Sequence, residues 1–268
     1  AGYYGPVWHV ATTGSDTTGD GSEQNPFATL AYPLSSSNCL GTNWIIDWDL
    51  SLGEYEIVYL DTLIVGPGVY NEGDISLNGD PYWGPCGNWQ WIYITSSHGV
   101  DSTFIHIDDQ IDIAHGNKMI IDQLSISNSG SNYGLFSVYD GSYKVQNSLV
   151  IDSYIQDQGQ ENEYYNSTLI NNNGGFYNGD PTIYNCILYG NNLELAFNLW
   201  DNESSVNWSL LWNNIFSSEI WGTEIIESDP LFCNPDSGDY TLAENSPCIG
   251  TGENGVNMGA FGVGCGAI

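Results

Sequence analysis

Short apolar runs recur through the middle of the chain, and each run follows a single polar residue. The polar residues that lead these runs are Asp122, Asn147, Asn166, Asn185 and Asn207, which lie 25, 19, 19 and 22 residues apart. Short apolar runs bounded by turn residues are typical of buried parallel strands, and a repeat of this length is typical of a solenoid. The pattern predicts parallel strands stacked in coils, with one coil for each repeat.

Earlier runs extend the pattern towards the amino end. Leu63–Val65 and Ile92–Ile94 are apolar runs of the same kind. We therefore expect roughly seven or eight coils, which at about 4.8 Å per coil form a stack of about 35 Å. The predicted fold class is all-β, a single right-handed parallel β-helix, because parallel crossovers are almost always right-handed.

We expect one domain over residues 1–268, in three parts. Residues 1–57 are assigned to an amino-terminal strand, an acidic glycine-rich loop and a cap, residues 58–226 to the coils, and residues 227–268 to a closing segment. Leu30–Ile57 shows no sustained helical period, so the plug at the amino end is either a very short helix or a loop. Gly250–Ala267 is apolar enough to pack, and we expect it to fold back as a cap.

Asparagines that lead successive runs are expected to stack along the coils, at Asn147, Asn166, Asn185 and Asn207. Stacked amides donate and accept hydrogen bonds along the axis, which satisfies polar groups that burial would otherwise leave unpaired. We interpret them as a structural ladder.

The first residues of the chain are rich in aromatic side chains and are interpreted as an extended strand. Tyr3, Tyr4 and Trp8 lie in this stretch. A strand with a free edge can pair with the first coil or with another molecule, because it offers unpaired backbone groups. These three residues are candidates for a contact between copies of the chain.

Three stretches resemble segments of a known family: TTGSDTTGDGSEQNPFATL at residues 12–30, DTLIVGPGVYNE at residues 61–72 and SDPLFCNPDSGDYTLAENSPCIGTGENGVNMGAFG at residues 228–262. They resemble the opening, the first coil and the closing segment of secreted bacterial right-handed parallel β-helix proteins, the pectate-lyase-like solenoids. The resemblance implies this fold and a secreted or cell-surface location, with Ala1 as the start of a mature chain. It implies no single function, because the family includes lyases, hydrolases, adhesins and non-enzymatic surface proteins.

The charge of the chain is strongly unbalanced, with 33 acidic residues, two basic ones (Lys118 and Lys144) and a net charge of −31. Nucleic acids are excluded as partners, because binding to phosphates depends on lysine and arginine. No apolar run approaches the length that spans a membrane, so we expect no membrane insertion. The expected partners are copies of the chain itself and an extracellular glycan.

Bound calcium, high salt or spreading over a long surface would make this charge tolerable, and we favour calcium because loops rich in Asp and Gly supply the oxygen ligands that Ca²⁺ prefers. Asp16, Asp20 and Glu23 lie within eight residues of one another, among glycines that give the backbone room to wrap an ion. We predict a Ca²⁺ site there, with a turn bearing solvated acids as the alternative.

Six cysteines in an apparently secreted chain indicate disulfides. We favour one bridge between Cys39 and Cys86, and a second among Cys233, Cys248 and Cys265. The remaining cysteine, Cys186, lies in a strand-like run and is interpreted as a buried free thiol.

The densest acidic cluster comprises Asp108, Asp109 and Asp112, on or beside a strand. Paired carboxylates act as acid and base in glycoside hydrolases, so these residues are candidate catalytic groups. Lys118 lies close by in sequence and could serve as the base of a calcium-dependent lyase. A solvated corner is the alternative, since the sequence lacks the Gly-His-Gly and Arg-x-Lys elements of the related hydrolases.

Aromatic residues could stack on neutral sugars if their rings are exposed. Trp83 and Trp89 are left open as such candidates, whereas Trp208 and Trp212 follow the strand register and are expected to pack.

These observations favour a non-enzymatic extracellular structural protein. It would be a surface, matrix or fibre subunit that assembles through the solenoid ends and the amino-terminal strand, with calcium as a stabiliser. The near absence of basic residues supports this view, because it removes the groups that neutralise a uronate in a lyase. The alternatives are a polysaccharide lyase or glycoside hydrolase, and a glycan-binding module.

Overall fold

A computed structural model describes residues 6–35, 40, 44–49, 54–77, 90–114, 116–129, 134–139, 141–157, 162–177, 181–196, 205–216 and 222–268. Several residues singled out above lie outside these ranges, namely Tyr3, Tyr4, Cys39, Cys86, Trp83 and Trp89. The assembly role of the two tyrosines and the Cys39–Cys86 bridge therefore stay predictions.

Strands dominate the described part of the chain. In chain order they are β1 (Val7–Val10), β2 (Trp44–Asp49), β3 (Glu54–Val65), β4 (Gly68–Glu72), β5 (Ile75–Leu77), β6 (Trp91–Ser96), β7 (Thr103–Ile107), β8 (Ile111–Ala114), β9 (Lys118–Asp122), β10 (Ser125–Asn128), β11 (Phe136–Tyr139), β12 (Ser142–Gln146), β13 (Leu149–Ile151), β14 (Tyr154–Asp157), β15 (Glu163–Tyr165), β16 (Thr168–Ile170), β17 (Asn173–Tyr177), β18 (Thr182–Tyr184), β19 (Ile187–Tyr189), β20 (Asn192–Ala196), β21 (Ser205–Asn207), β22 (Leu210–Trp212), β23 (Ile215–Phe216), β24 (Phe232–Asn234), β25 (Asp239–Ala243) and β26 (Val263–Cys265). One short α-helix, α1 (Ala31–Leu34), and two 3₁₀ turns, Pro235–Ser237 and Glu253–Gly255, complete the described elements. Within the described ranges, no helix has the length and apolar character needed to cross a membrane.

Parallel strands stack in three columns along one axis, which we call the first, second and third faces. The first face has the order β1-β3-β6-β9-β12-β15-β18-β21, and the second has the order β4-β7-β10-β13-β16-β19-β22. The third face comprises β5-β8-β11 and β14-β17-β20-β23. These two parts of the third face are joined where the Leu135 N–H donates to the Tyr154 carbonyl at 2.6 Å.

Each coil contributes one strand to each face. The first coil is β3, β4 and β5, the seventh is β21, β22 and β23, and β1 adds an eighth rung to the first face. The prediction of an all-β parallel solenoid with seven or eight coils is therefore confirmed. One hairpin departs from the pattern, because β2 pairs with β3 in antiparallel register.

Alternating apolar residues point into the solenoid from all three faces. Ile92 of β6, Ile105 of β7 and Ile111 of β8 are buried in the same coil. β-Branched side chains suit this packing because their restricted rotamers fit the pleated surface of a strand. Two tyrosine side chains, Tyr143 and Tyr164, are also buried in the solenoid, and their hydroxyls bond to each other at 2.8 Å.

The chain turns from the first face to the second at a residue with a left-handed backbone. Three of the predicted asparagines hold this position, Asn147, Asn166 and Asn185, with φ of 49°, 47° and 53°. Asparagine tolerates this conformation better than most residues. In the seventh coil Trp208 holds the position with φ of 50°, and Asn207 is the last residue of β21. The predicted ladder is corrected here, because Asn207 lies one position before its column.

Axial bonding between these corner side chains covers three coils. Asn166 Nδ2 donates to Asn147 Oδ1 at 3.3 Å, and Asn147 Nδ2 donates to Asp122 Oδ1 at 2.8 Å. Asn185 Oδ1 instead accepts from the N–H of Glu253 at 2.9 Å. The axial side-chain bonds therefore do not extend to Asn185, whose amide oxygen binds the closing segment.

A second asparagine column lies inside the solenoid, at the corner between the second and third faces. Asn172 donates through both its N–H and Nδ2 to Asn191 Oδ1, at 2.8 and 3.0 Å. Asn191 donates in the same way to Asn214 Oδ1, at 2.9 Å in both cases. The three amides also donate to carbonyls of the preceding strands. Within the described coils this column is the continuous amide ladder, and its members follow the predicted corner residues Asn166, Asn185 and Asn207 by six or seven positions.

A column of small side chains lines the inner side of the first corner. The N–H of Ser148 donates to Ser167 Oγ at 3.3 Å, that of Ser167 donates to Cys186 Sγ at 3.5 Å, and that of Cys186 donates to Ser209 Oγ at 3.1 Å. Cys186 is buried and free, as predicted. The buried backbone donors of this corner are thus paired coil by coil, as burial requires.

The amino end of the solenoid is covered by the chain that precedes the coils. Helix α1 has only four residues, which confirms that the plug is very short. Leu30 and Leu34 are buried against the first coil. The side chain of Glu72, at the end of β4, bonds to the backbone at the start of this plug. Its Oε1 accepts from the Leu30 N–H at 2.9 Å and its Oε2 from the Ala31 N–H at 3.1 Å. A buried carboxylate therefore fixes the plug to the first coil.

The closing segment lies along the outside of the second face. Its buried residues Phe232, Leu242 and Met258 form a second apolar cluster with outward side chains of β13 to β22, such as Leu149 and Leu210. Backbone contacts tie it further to the coils, because the Ala260 N–H donates to Thr168 Oγ1 at 3.0 Å. The predicted cap thus folds back on the side of the solenoid.

One disulfide holds the two ends of the closing segment together. Cys233 and Cys265 are joined with an S–S distance of 2.04 Å, which connects β24 to β26. Cys248, the third candidate for this bridge, is a buried free thiol inside the second apolar cluster.

Candidate functional site

Polar and aromatic side chains gather on the outer side of the second face in the first three coils. Val69 and Phe104 are register neighbours on β4 and β7, and they are 62% and 43% exposed. Two residues further along each strand lie Asn71 and His106, followed by Ser127 on β10. We call these five residues the open surface, because the later coils of the same face are covered by the closing segment.

His106 is held in place by its neighbours on the open surface. Its Nδ1 bonds to Ser127 Oγ at 2.9 Å, and its Nε2 lies 3.9 Å from Asp108 Oδ1. The Asp108 side chain is 70% exposed, and 3.9 Å exceeds the length of a hydrogen bond. The three groups therefore form a polar strip on the outer side of the second face, in which His106 and Ser127 are hydrogen-bonded to each other.

The predicted acidic cluster lies at the corner beyond this strip. Asp108 and Asp109 follow β7 directly, and Asp112 points outward from β8 on the third face. Partial desolvation, followed by the neighbouring carboxylate of Asp74, raises the pKa of Asp109. Asp112 accepts from Ser76 Oγ at 3.5 Å. The cluster is thus divided between a corner and a face, with Asp108 exposed and Asp109 half-buried.

Lys118 lies on a different side of the solenoid from the acids. It begins β9 on the first face, between Trp91 and Ser142 on the neighbouring rungs. Asp112 belongs to the third face, whose outer side points in another direction. The structure therefore does not bring Lys118 together with Asp112 as a shared acid–base site.

The predicted calcium loop uses its acids for internal hydrogen bonds. Asp16 Oδ1 accepts from the N–H groups of Ala28 and Thr29, and its Oδ2 accepts from Thr29 Oγ1 at 2.8 Å. Asp20 Oδ1 accepts from the Ser22 N–H at 3.0 Å, and hydrogen bonding from the side chain and then the backbone of Ser22 lowers the pKa of Asp20. Across the described ranges, no three His, Cys, Asp or Glu side chains are grouped closely enough to hold a metal ion. The donors present, Asp16, Asp20 and Glu23, do not fit a common cage, so the calcium prediction depends on the sequence pattern alone.

Aromatic side chains on the first face pack against one another. Lys144 Nζ lies 3.0 Å from Glu163 Oε2 and 4.1 Å above the ring of Tyr165. The ring of Tyr165 in turn contacts that of Tyr184, with centroids 5.6 Å apart. Desolvation, together with a hydrogen bond to Glu253, raises the pKa of Tyr184 to about 12. The ring faces in this strip are occupied by neighbours, which leaves them little area for a ligand.

Trp8 also points towards the protein interior. Its ring stacks on that of Phe27, with centroids 6.4 Å apart, and its strand pairs in parallel with β3. The other edge of that strand is held by the same chain, because the Phe27 N–H donates to the His9 carbonyl at 2.9 Å. Of the two pairings considered for this stretch, the structure has the one with the first coil.

The open surface was missed by sequence reasoning. Phe104 and His106 on β7, and Ser127 on β10, occupy outward positions in strands whose residues alternate between inward and outward. This alternation was the available signal. The repeat pattern drew attention to the first corner, where the asparagines recur, and away from the outer side of the second face.

Comparison with known proteins adds no assignment. No protein-family model matches the sequence, and no curated protein matches it either. The parallel solenoid is thus established by the stacked sheets themselves.

Proposed function

We propose that the chain is a non-enzymatic structural protein of an extracellular surface or matrix. The observation that carries this proposal is that the buried polar side chains with well-defined hydrogen bonds hold neighbouring coils together. The serine and cysteine column, the column of Asn172, Asn191 and Asn214, and the carboxylate of Glu72 all satisfy buried backbone groups. Pairing of buried backbone groups from coil to coil makes a rigid rod.

Two further features support an extracellular role. The disulfide between Cys233 and Cys265 is of a kind that persists in oxidising compartments. The resemblance of residues 12–30, 61–72 and 228–262 to secreted bacterial pectate-lyase-like solenoids agrees with that location.

Assembly of the rod would use the third face at its carboxyl end, because Gly222 lies against Val206 of β21 and Ile226 pairs with Leu210 of β22, which covers the last rungs of the other two faces. The amino end is occupied by α1 and by the segment that pairs with β1, so an amino-terminal joint would have to involve residues before Pro6. At the other end, Ile215 lies on β23, the last strand of the third face, and is 67% exposed. An exposed apolar residue on a terminal rung suits a contact between subunits, because a head-to-tail contact propagates without closing.

Electron microscopy of the purified protein tests the assembly. We expect fibres or sheets from the wild type, and short rods from Ile215→Lys, because a charge on the terminal rung opposes stacking. Val256→Lys is the matched control, since Val256 is 45% exposed on the closing segment. Isolated rods from the wild type under all conditions would count against a fibre subunit.

The alternative of a polysaccharide lyase or glycoside hydrolase has less support. Asp108 and Asp109 lie on an exposed corner, and Lys118 lies on another face. Incubation with pectic and neutral polysaccharides, followed by an assay for new reducing ends, separates the two functions. Cleavage that Asp109→Asn abolishes would replace the structural proposal with the enzymatic one.

A further inference from the structure

The open surface has the composition of a sugar-binding surface. Phe104 presents an aromatic ring on a flat sheet, with Val69 on the next rung about 4.8 Å away. Flat aromatic faces stack on the apolar faces of sugars at low entropic cost. Asn71 and His106 lie about 6.6 Å along the same strands and offer hydrogen-bonding groups beside the ring.

The polar strip beside Phe104 is arranged before any ligand binds. Ser127 Oγ fixes the ring of His106 at 2.9 Å, and Asp108 stands at its other nitrogen. Polar groups held on rigid strands lose little entropy on binding, which favours weak but specific recognition of hydroxyl groups.

A wall closes the open surface on its carboxyl side. Ser125, the next residue in the column after Phe104, is buried, and its Oγ donates to the Val100 carbonyl at 2.6 Å. Val100 belongs to the same apolar cluster as the closing segment. The exposed ring of Phe104 therefore lies beside a raised turn that contains Val100.

The charge of the chain decides which sugars this surface can accept. Both basic residues, Lys118 and Lys144, lie on the first face. No lysine or arginine is therefore available on the second face to neutralise a carboxylate or sulfate, and a net charge of −31 repels polyanions. Anionic polymers are therefore excluded as ligands, and the exposed ring of Phe104 beside hydrogen-bonding groups favours an uncharged sugar polymer.

We propose that the open surface binds a neutral polysaccharide, with Phe104 stacking on a sugar ring and Asn71, His106 and Asp108 bonding to its hydroxyls. This site goes beyond the proposed structural function, because it names what the rod attaches to. A rod that binds no glycan would leave the structural proposal standing.

Native gel electrophoresis in the presence of soluble polysaccharides tests the proposal. The probes are hydroxyethyl cellulose, galactomannan, mixed-linkage β-glucan and, as the anionic control, polygalacturonate. We expect at least one neutral polymer to retard the wild type, and polygalacturonate to have no effect. Phe104→Ala should weaken the retardation about tenfold, as the loss of one aromatic stacking contact implies, and Phe104→Trp should preserve it.

Matched controls distinguish binding from folding. Tyr165→Ala removes a ring from the first face and should leave the retardation unchanged. Thermal melting of Phe104→Ala should match that of the wild type within a few degrees, because the ring is exposed.

Three results would overturn the proposal. The first is the absence of retardation by any of the neutral polymers, and the second is equal retardation of Phe104→Ala and the wild type. The third is a concentration-dependent sedimentation of the wild type that Phe104→Ala abolishes, since this would assign the surface to a second copy of the chain.

Discussion

Removal of the Glu72 carboxylate should release the plug at the amino end. Glu72 is 2% exposed and accepts from the N–H groups of Leu30 and Ala31. Glu72→Ala leaves both buried donors without an acceptor, and each such donor costs about 1 to 3 kcal/mol. We therefore expect the plug to lose about 4 kcal/mol of local stability, and Glu72→Gln to lose about half of that because one acceptor remains.

Hydrogen–deuterium exchange followed by mass spectrometry measures this loss where it occurs. Exchange of the peptide that contains Leu30–Leu34 should accelerate about a thousandfold in Glu72→Ala, as a change of 4 kcal/mol implies. Amides of the later coils should exchange as in the wild type, because repeats of a solenoid contact only their neighbours. Glu244→Gln, which changes an exposed acid of the closing segment, is the control.

The pH dependence of the same measurement tests the state of the carboxyl group. Burial is the largest cause that raises the pKa of Glu72, and the charge of Asp16 adds to it, while the two backbone bonds lower it. The folded chain therefore binds this proton more tightly than the unfolded chain. The resulting stabilisation is complete below the ordinary pKa of 4.5 and is lost as the pH rises through the folded-state value.

The advantage of the wild type over Glu72→Gln should therefore shrink as the pH rises from 4.5. An advantage that grows with pH would refute the reasoning, because it would mean that the two N–H groups outweigh burial. Unchanged exchange of the plug in Glu72→Ala would refute the role of the carboxylate altogether.

Three further predictions concern the ladder, the thiols and calcium. Asn191→Ala should lower the free energy of unfolding in urea by about 2 to 4 kcal/mol. Asn173, which follows the ladder residue Asn172, is exposed, so Asn173→Ala should change this free energy by less than about 0.5 kcal/mol, and equal effects of the two substitutions would contradict the ladder. Cys186 and Cys248, whose pKa values burial raises to about 12, should resist iodoacetamide at pH 8 until guanidinium unfolds the chain, and labelling of either in the native protein, detected by mass spectrometry, would show that its thiol is accessible. If the acidic loop binds calcium, EDTA should lower the melting temperature, and Asp20→Asn should abolish this effect. An unchanged melting temperature with EDTA would refute the calcium site.

The repeat of strands could be read from the sequence because one position in each coil is restricted by its backbone. Asn147, Asn166 and Asn185 all adopt positive φ, and asparagine is common at such corners. The same logic failed in the seventh coil, where Trp208 has positive φ although large side chains rarely adopt it. A pattern of residue types therefore placed Asn207 in the column, one residue too early.

The inner ladder could not be separated from its neighbours by residue type. Asn171, Asn172 and Asn173 are consecutive, and only the middle one points inward. Its partner lies 19 residues later, at Asn191, the same step as the corner asparagines show. Applying that step to each of the three consecutive asparagines yields two candidate pairs, Asn172 with Asn191 and Asn173 with Asn192, and the structure shows that the first pair points inward.

The position of the closing segment depends on contacts between distant parts of the chain. Leu149, Ile187 and Leu210 point outward, which by alternation alone predicts exposure to water. They are buried because the segment after residue 226 returns along the second face. Local sequence patterns predict the coils and their corners. The closing segment that covers the second face, and the open surface beside it, depend on tertiary packing.

The lateral closing segment also limits how a rod of this type can change length during evolution. It bonds to Thr168 in the fifth coil and to Asn185 in the sixth, and it packs on residues from the fourth to the seventh. Duplication of a coil within that interval would move some of these partners by one rung, about 4.8 Å, and leave others in place. Duplication among the first three coils would leave these partners in register and would affect only Val100 of the second coil, which belongs to the same apolar cluster. Relatives that differ in coil number should therefore carry their extra or missing coils on the amino side of β12.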